Sequence, residues 1–203
     1  EFSTLGGWVA TRSSGMKQQT YGNIEQIIIK STFVTSCGVM EKKYLVPRAS
    51  LGPDFDHIIM GSEGTLGVIT KVIVRIHKRP TERRYGSILF PDLDSGTKFM
   101  YDVSKFSRKP SNLRLIDNIH FQLGNALSHN NSILHDFLDF IKKGGAAVFL
   151  RYNLNKVALA TYLIEGERDE VDDIEMKLKN AAWKYWGTTA GVKYGERAYL
   201  MTF

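Results

Sequence analysis

The chain has 203 residues, 43% of them hydrophobic and 24% charged, so it can bury one large or two small cores and is not a disordered tail. Its single cysteine, Cys37, excludes an internal disulfide and any multi-cysteine metal site, and fits a reducing compartment; no apolar run reaches the roughly 18 residues of a spanning helix. The formal charge of +6 suits a phosphate-bearing ligand or an anionic surface, although plain solubility also accounts for so modest an excess.

In chain order, the opening residues read as loop. Gly6-Gly7 and the small-residue cluster from Thr11 to Gly15 carry no helical pattern and lack the basic segment of a signal peptide. Apolar, β-branched runs at 24–33, 43–46 and 66–76 predict strands and a mostly β first region. Between them, Gly52-Pro53 starts and Gly61 stops a helical turn over 54–60. A proline and four charges within RPTERR, 79–84, mark a domain boundary that divides 1–80 from 81–203.

Beyond that boundary the pattern predicts a strand at 85–90, a Pro91-Asp92 turn, a helix at 93–106 and a strand at 112–116. Helices at 118–127 and 132–142, strands at 146–152 and 158–165, and an amphipathic helix at 168–186 complete the order. Strands and helices mixed in this way predict an α+β fold with an antiparallel sheet, helices on one face, of the split βαβ kind. The loop-like start and the apolar stretch 197–203 lead us to expect an internal piece of a longer protein.

Three segments could carry chemistry. In DHIIMGSEGTLGVIT, 56–70, Gly61, Gly64 and Gly67 recur at every third residue, which permits positive φ and close approach of backbone to a ligand; a glycine-rich hairpin turn is the other reading. Phe2 to Gly7 joins hydroxyls to a glycine pair and could grip a polyoxygenated ligand, or simply turn. Thr11-Arg12-Ser13-Ser14 adds a guanidinium suited to anionic oxygens. The five histidines show no metal-ligand spacing and receive no role; Trp183 and Trp186 lie three apart, which is packing spacing.

The ordered set TLGGWVAT, YGNIE and GSEGTLGVIT resembles the second half of the flavin-binding domain in the vanillyl-alcohol oxidase and p-cresol methylhydroxylase superfamily. EFSTLGGWVATRSSGMKQQTYGNIE, GPDFDHIIMGSEGTLGVIT and SNLRLIDN further resemble the superfamily's ether-lipid-forming branch, the alkyldihydroxyacetonephosphate synthase family, over nearly the whole chain and least between 128 and 157. The resemblance implies the C-terminal part of an FAD-binding domain at 1–80 and the N-terminal part of a cap, or substrate, domain at 81–203.

It further implies FAD as cofactor, contacted by Glu1, Phe2, Ser3 and Thr4, by Thr11, Arg12, Ser13 and Ser14, and by Glu63, Gly64, Thr65, Leu66, Gly67, Val68 and Ile69. Arg12 replaces the small or amide residue commoner in flavin oxidases and matches the ether-forming branch. Arg114 matches an arginine important for activity there; alternation sets it opposite Leu113 and Leu115, and an ion pair with Asp117 or Glu63 is the structural alternative.

The implied reaction exchanges the acyl chain of acyl-dihydroxyacetone phosphate for a long-chain fatty alcohol through a covalent adduct at flavin N5, with no net redox change. No metal is implied. A peroxisomal location, peripheral membrane association and a homodimer belong to the same implication, with no nucleic-acid partner. The flavin-binding segments alone fit equally an oxidoreductase of a 2-hydroxy acid or phenol, and a non-catalytic module retaining the fold stays open.

Overall fold

The computed structural model describes residues 3–126, 152–153 and 155–200, which fall into two compact units, Glu1–Arg79 and Pro80–Phe203. The helix predicted at 132–142 and all but the last residue of the strand predicted at 146–152 lie outside the described residues.

The first unit opens with a helix where loop was expected. Helix α1, Leu5–Ala10, starts because Thr4 is its N-cap: the threonine Oγ1 accepts the Gly7 N–H at 3.1 Å. Two single turns follow, α2 (Gln18–Tyr21) and α3 (Ile24–Ile27). The strand predicted at 24–33 therefore begins late. Gln26 Oε1 accepts the Asn23 N–H at 2.9 Å in a capping box, which bends 24–27 into helix before strand β1, Ile28–Thr35.

Strand β1 pairs antiparallel with β2, Gly38–Glu41, and with β3, Val68–Val74, in the order β2-β1-β3. The second strand lies earlier than the expected 43–46, because Gly38 at φ 129 closes a tight turn and pairing begins at Thr35 opposite Gly38. Helix α4, Phe55–Ile59, occupies the expected turn, capped by Asp54. Val9, Ile24, Ile28 and Met60 form the buried core of this unit.

The second unit is an antiparallel four-stranded sheet of order β5-β6-β4-β7. Its strands are β4 (Glu82–Phe90), β5 (Asn112–Ile116), β6 (Ala158–Gly166) and β7 (Thr188–Thr189). Helix α5 (Leu93–Ser104) joins β4 to β5 and α7 (Arg168–Trp183) joins β6 to β7, which is the split βαβ order. Helix α6, Asn118–Ala126, follows β5.

Alternation decides the layers. Ile88, Phe90, Ala160, Tyr162 and Ile164 bury against Phe99 and Val103 of α5 and Val171, Ile174 and Leu178 of α7. The intervening Leu89 and Leu159 bury on the other face with Val157 and Ala190, against which Tyr194 packs. Tyr194 belongs to α8, Val192–Leu200, so helices cover both faces rather than one. Sequence pattern gave no sign of α8, which carries Gly195 in its interior. That glycine is required by contact: a Cβ there would lie 2.3 Å from the Gly86 carbonyl oxygen of β4. Helix α7 ends three residues before its expected limit, because Trp186 turns left-handed at φ 60 and the Gly187 N–H returns to the Ala182 carbonyl at 2.9 Å.

Candidate functional site

The candidate cofactor segments of the first unit gather around α1. Ser3 and Thr4 precede it, and Thr11 to Ser14 follow it. The glycine loop is stitched to its C-terminal end, where the Gly61 N–H donates to the Val9 carbonyl at 3.2 Å and the Glu63 N–H to the Ala10 carbonyl at 3.0 Å. Gly6 lies beside the loop's exit, its would-be Cβ 3.7 Å from the Ile69 carbonyl oxygen. Glu1 and Phe2 lie outside the described residues.

Backbone conformation sets this place apart. Arg12 at φ 48, Gly61 at φ 84, Glu63 at φ 49 and Gly64 at φ 80 are all left-handed, and a Cβ on Gly61 would sit 3.5 Å from the Arg12 Cβ. Non-glycine residues in this region carry strain, and such strain concentrates where a fixed backbone shape serves a ligand. Gly67 has a different requirement: a Cβ there would lie 2.4 Å from the Val34 carbonyl oxygen, so the loop can enter β3 only if that residue has no side chain.

The hydroxyls are partly engaged in holding the frame. Besides Thr4, Thr11 Oγ1 donates to the Gly7 carbonyl at 2.9 Å, and Thr65 Oγ1 donates to the Ser62 carbonyl at 2.6 Å. Ser14 Oγ lies 2.9 Å from Gln18 Oε1 and 2.7 Å from Asn23 Oδ1. Sequence reasoning weighed the hydroxyl clusters between ligand contact and simple turn and missed the capping roles of Thr4 and Asn23, which the spacing of Thr4 to Gly7 and Asn23 to Gln26 encodes.

Ser62 was also missed. Among the described residues its Oγ is a buried hydroxyl with no hydrogen-bond partner, a state that costs free energy and that a ligand oxygen or nitrogen would relieve. Around it Glu63, Gly64, Thr65 and Leu66 are exposed, with Leu66 at 49% and Val68 at 68%. Exposed backbone, short hydroxyls and an apolar flank together fit a cofactor that is polyoxygenated along one part and flat and apolar along another, as FAD is.

A cavity of about 480 Å³ also opens in this unit, lined by Lys42, Tyr44, Leu51, Pro53, Asp54 and Phe55 among others; none of the predicted contact residues line it.

In the second unit Arg114 sits on β5, an edge strand, paired in register with Thr161 of β6. Leu113 and Leu115 pack against the core shared with α5 and α7, and Arg114 is half-buried. Asp117, one suggested partner for Arg114, binds His120, accepting its backbone N–H at 2.8 Å and contacting Nδ1 at 2.7 Å. These bonds hold the Asp117 carboxyl below its ordinary pKa, the backbone N–H of His120 contributing most. Among the described residues no group of histidine, cysteine and carboxylate side chains could hold a metal ion.

Comparison with known proteins identifies the family and the fold. Residues 79–195 match the family described as FAD linked oxidases, C-terminal domain. The whole chain is 41% identical to the alkyldihydroxyacetonephosphate synthase of Caenorhabditis elegans and 31% identical to that of Dictyostelium discoideum, covering 34% of each. An FAD-linked oxidoreductase of Escherichia coli (strain K12) is 39% identical over 115 residues. A solved structure of alkyldihydroxyacetonephosphate synthase superposes with a TM-score of 0.78 at 29% identity over 94% of this chain and 34% of that one. The chain thus spans about a third of the length of these relatives. It belongs to the FAD-linked oxidases, with residues 79–195 forming the family's C-terminal domain and an α+β fold matching that of alkyldihydroxyacetonephosphate synthase.

Proposed function

We propose that this chain is part of an FAD-dependent transferase of ether-lipid biosynthesis that replaces the acyl chain of acyl-dihydroxyacetone phosphate by a long-chain fatty alcohol. The observation that carries this reading is likeness along the full chain, at 41% identity, to a protein named for that synthesis. On this reading residues 1–80 are the C-terminal part of the FAD-binding domain and 81–203 the N-terminal part of the cap domain. Peroxisomal location, peripheral membrane association and a homodimer are proposed with it.

FAD, when bound, supplies chemistry at N5 that makes and breaks the carbon–oxygen bonds with no net change of redox state. The chain's own residues bind and orient. Glu1 to Thr4, Thr11 to Ser14 and Glu63 to Ile69 hold the cofactor, with main-chain groups exposed by Gly64 and Gly67 and a guanidinium from Arg12. Arg114 is assigned a catalytic role, a permanent positive charge held toward substrate by a strand whose other face is fixed in the core. General acid–base groups are not assigned among these residues.

The test gives the full-length protein acyl-dihydroxyacetone phosphate and a fatty alcohol without any electron acceptor. Alkyl ether and one released fatty acid per turnover are expected. A second reading, an oxidoreductase of a 2-hydroxy acid or phenol, is favoured by the 39% identity to an FAD-linked oxidoreductase; bleaching of the flavin by a hydroxy acid, without ether product, would establish it instead. Arg114→Lys is expected to lose turnover by at least about a hundredfold while flavin stays bound; full activity in that variant would remove Arg114 from the mechanism.

A further inference from the structure

The first unit holds a buried charged cluster that none of the cofactor segments includes. Asp56 is 3% exposed and Ser31 1%. Asp56 Oδ1 accepts the Ser31 N–H at 2.9 Å and the Ser31 hydroxyl as well. Its other oxygen, Oδ2, lies 2.7 Å from Lys42 Nζ, and the same ammonium lies 3.1 Å from Asp54 Oδ2. Asp54 Oδ1 in turn accepts the Asp56 N–H at 3.1 Å, capping α4.

This cluster ties β1, the residue just after β2, and both carboxylates at the start of α4 to one point. A buried ion pair is a costly way to gain stability, since apolar residues of similar size commonly do as well; it fixes geometry instead. Helix α4 needs fixing, because five residues are too few to be helical unaided.

What α4 leads into makes the geometry matter. Ile59 and Met60 are buried, and Gly61 follows at once, with its N–H on Val9 and a left-handed backbone that shapes the loop. Only three helical residues and the cap Met60 separate Asp56 from Gly61, leaving no slack to absorb a displacement. We infer that Lys42, Asp54, Asp56 and Ser31 form a positioning clamp that sets the glycine loop 61–69 for the cofactor without touching it. Burial opposes the charge on Lys42, yet its bonds to Asp56 and Asp54 prevail and raise its pKa, in keeping with a permanently charged centre of the clamp.

The inference rests on the proposed role of that loop in binding FAD. It is tested on the full-length protein with FAD itself, by fluorescence titration and by the visible circular dichroism of the bound flavin. Lys42→Met is expected to weaken FAD binding about tenfold and to change the flavin spectrum. Asp54→Asn keeps the cap acceptor and the buried Lys42–Asp56 pair, and is expected to weaken binding about threefold with melting unchanged. Should Lys42→Met not fold, Asp54→Asn alone decides. Wild-type affinity and spectrum in a folded Lys42→Met, or in Asp54→Asn, would overturn the clamp while leaving the cofactor reading intact; a wild-type protein that binds no FAD would overturn that reading first.

Discussion

At the scale of single residues, two positions connect local chemistry to measurable stability. Gly67→Ala would press a methyl group onto the Val34 carbonyl oxygen at 2.4 Å, a backbone atom that cannot step aside. We predict a loss of about 2 kcal/mol in urea unfolding, as for other forced overpacking, together with weakened FAD binding. Gly15→Ala, where nothing lies within 4 Å, is the control and stays near wild type. Asp92 caps α5 by accepting the Ser95 N–H at 2.7 Å, and that bond holds its pKa below the ordinary 3.8. A depressed carboxyl pKa stabilises the fold above the unfolded value, and the benefit is lost as pH falls through the folded one. Asp92→Asn should therefore be less stable than wild type at neutral pH, the difference closing below about pH 3.8; a gap that persists in acid contradicts the account.

At the scale of elements, the sheet of the second unit depends on two unlike faces. Phe99 of α5 is fully buried against the sheet, with its ring centroid 5.0 Å from that of Phe90, and Phe99→Ala should cost about 3–5 kcal/mol. On the opposite face Gly195→Ala would drive α8 off β4, where a Cβ meets the Gly86 oxygen at 2.3 Å, and about 2 kcal/mol is expected from thermal unfolding. These two faces were not equally legible. Strand β5 falls on its predicted residues, and α5 begins where Pro91-Asp92 announces it, because apolar alternation and a capping aspartate are local signals. Helices α1 and α8 were not legible. Gly6, Gly7 and Gly195 depress helix propensity, and what retains them is packing: Gly195 against β4, and Gly6 near β3. The late start of β1 was encoded in the Asn23–Gln26 capping box but outweighed in reading by the run of isoleucines.

At the scale of the whole chain, two units each have their own core, and the boundary lies at Arg79–Pro80. The candidate site was legible as segments, since three glycines at fixed spacing and two hydroxyl clusters stand out in sequence. Their gathering around α1 was not, because it depends on backbone bonds from Gly61 to Val9 and from Glu63 to Ala10. Ser62 was invisible for a similar reason: burial of one hydroxyl without a partner is a property of the folded loop. The central claim is that this α1-bound glycine loop is the seat of FAD. Hydrogen–deuterium exchange of the full-length protein with and without FAD tests it most directly: FAD should slow exchange in 3–14 and 61–69 while leaving α5 and α7 unchanged, and saturating FAD that left both segments unprotected would contradict it.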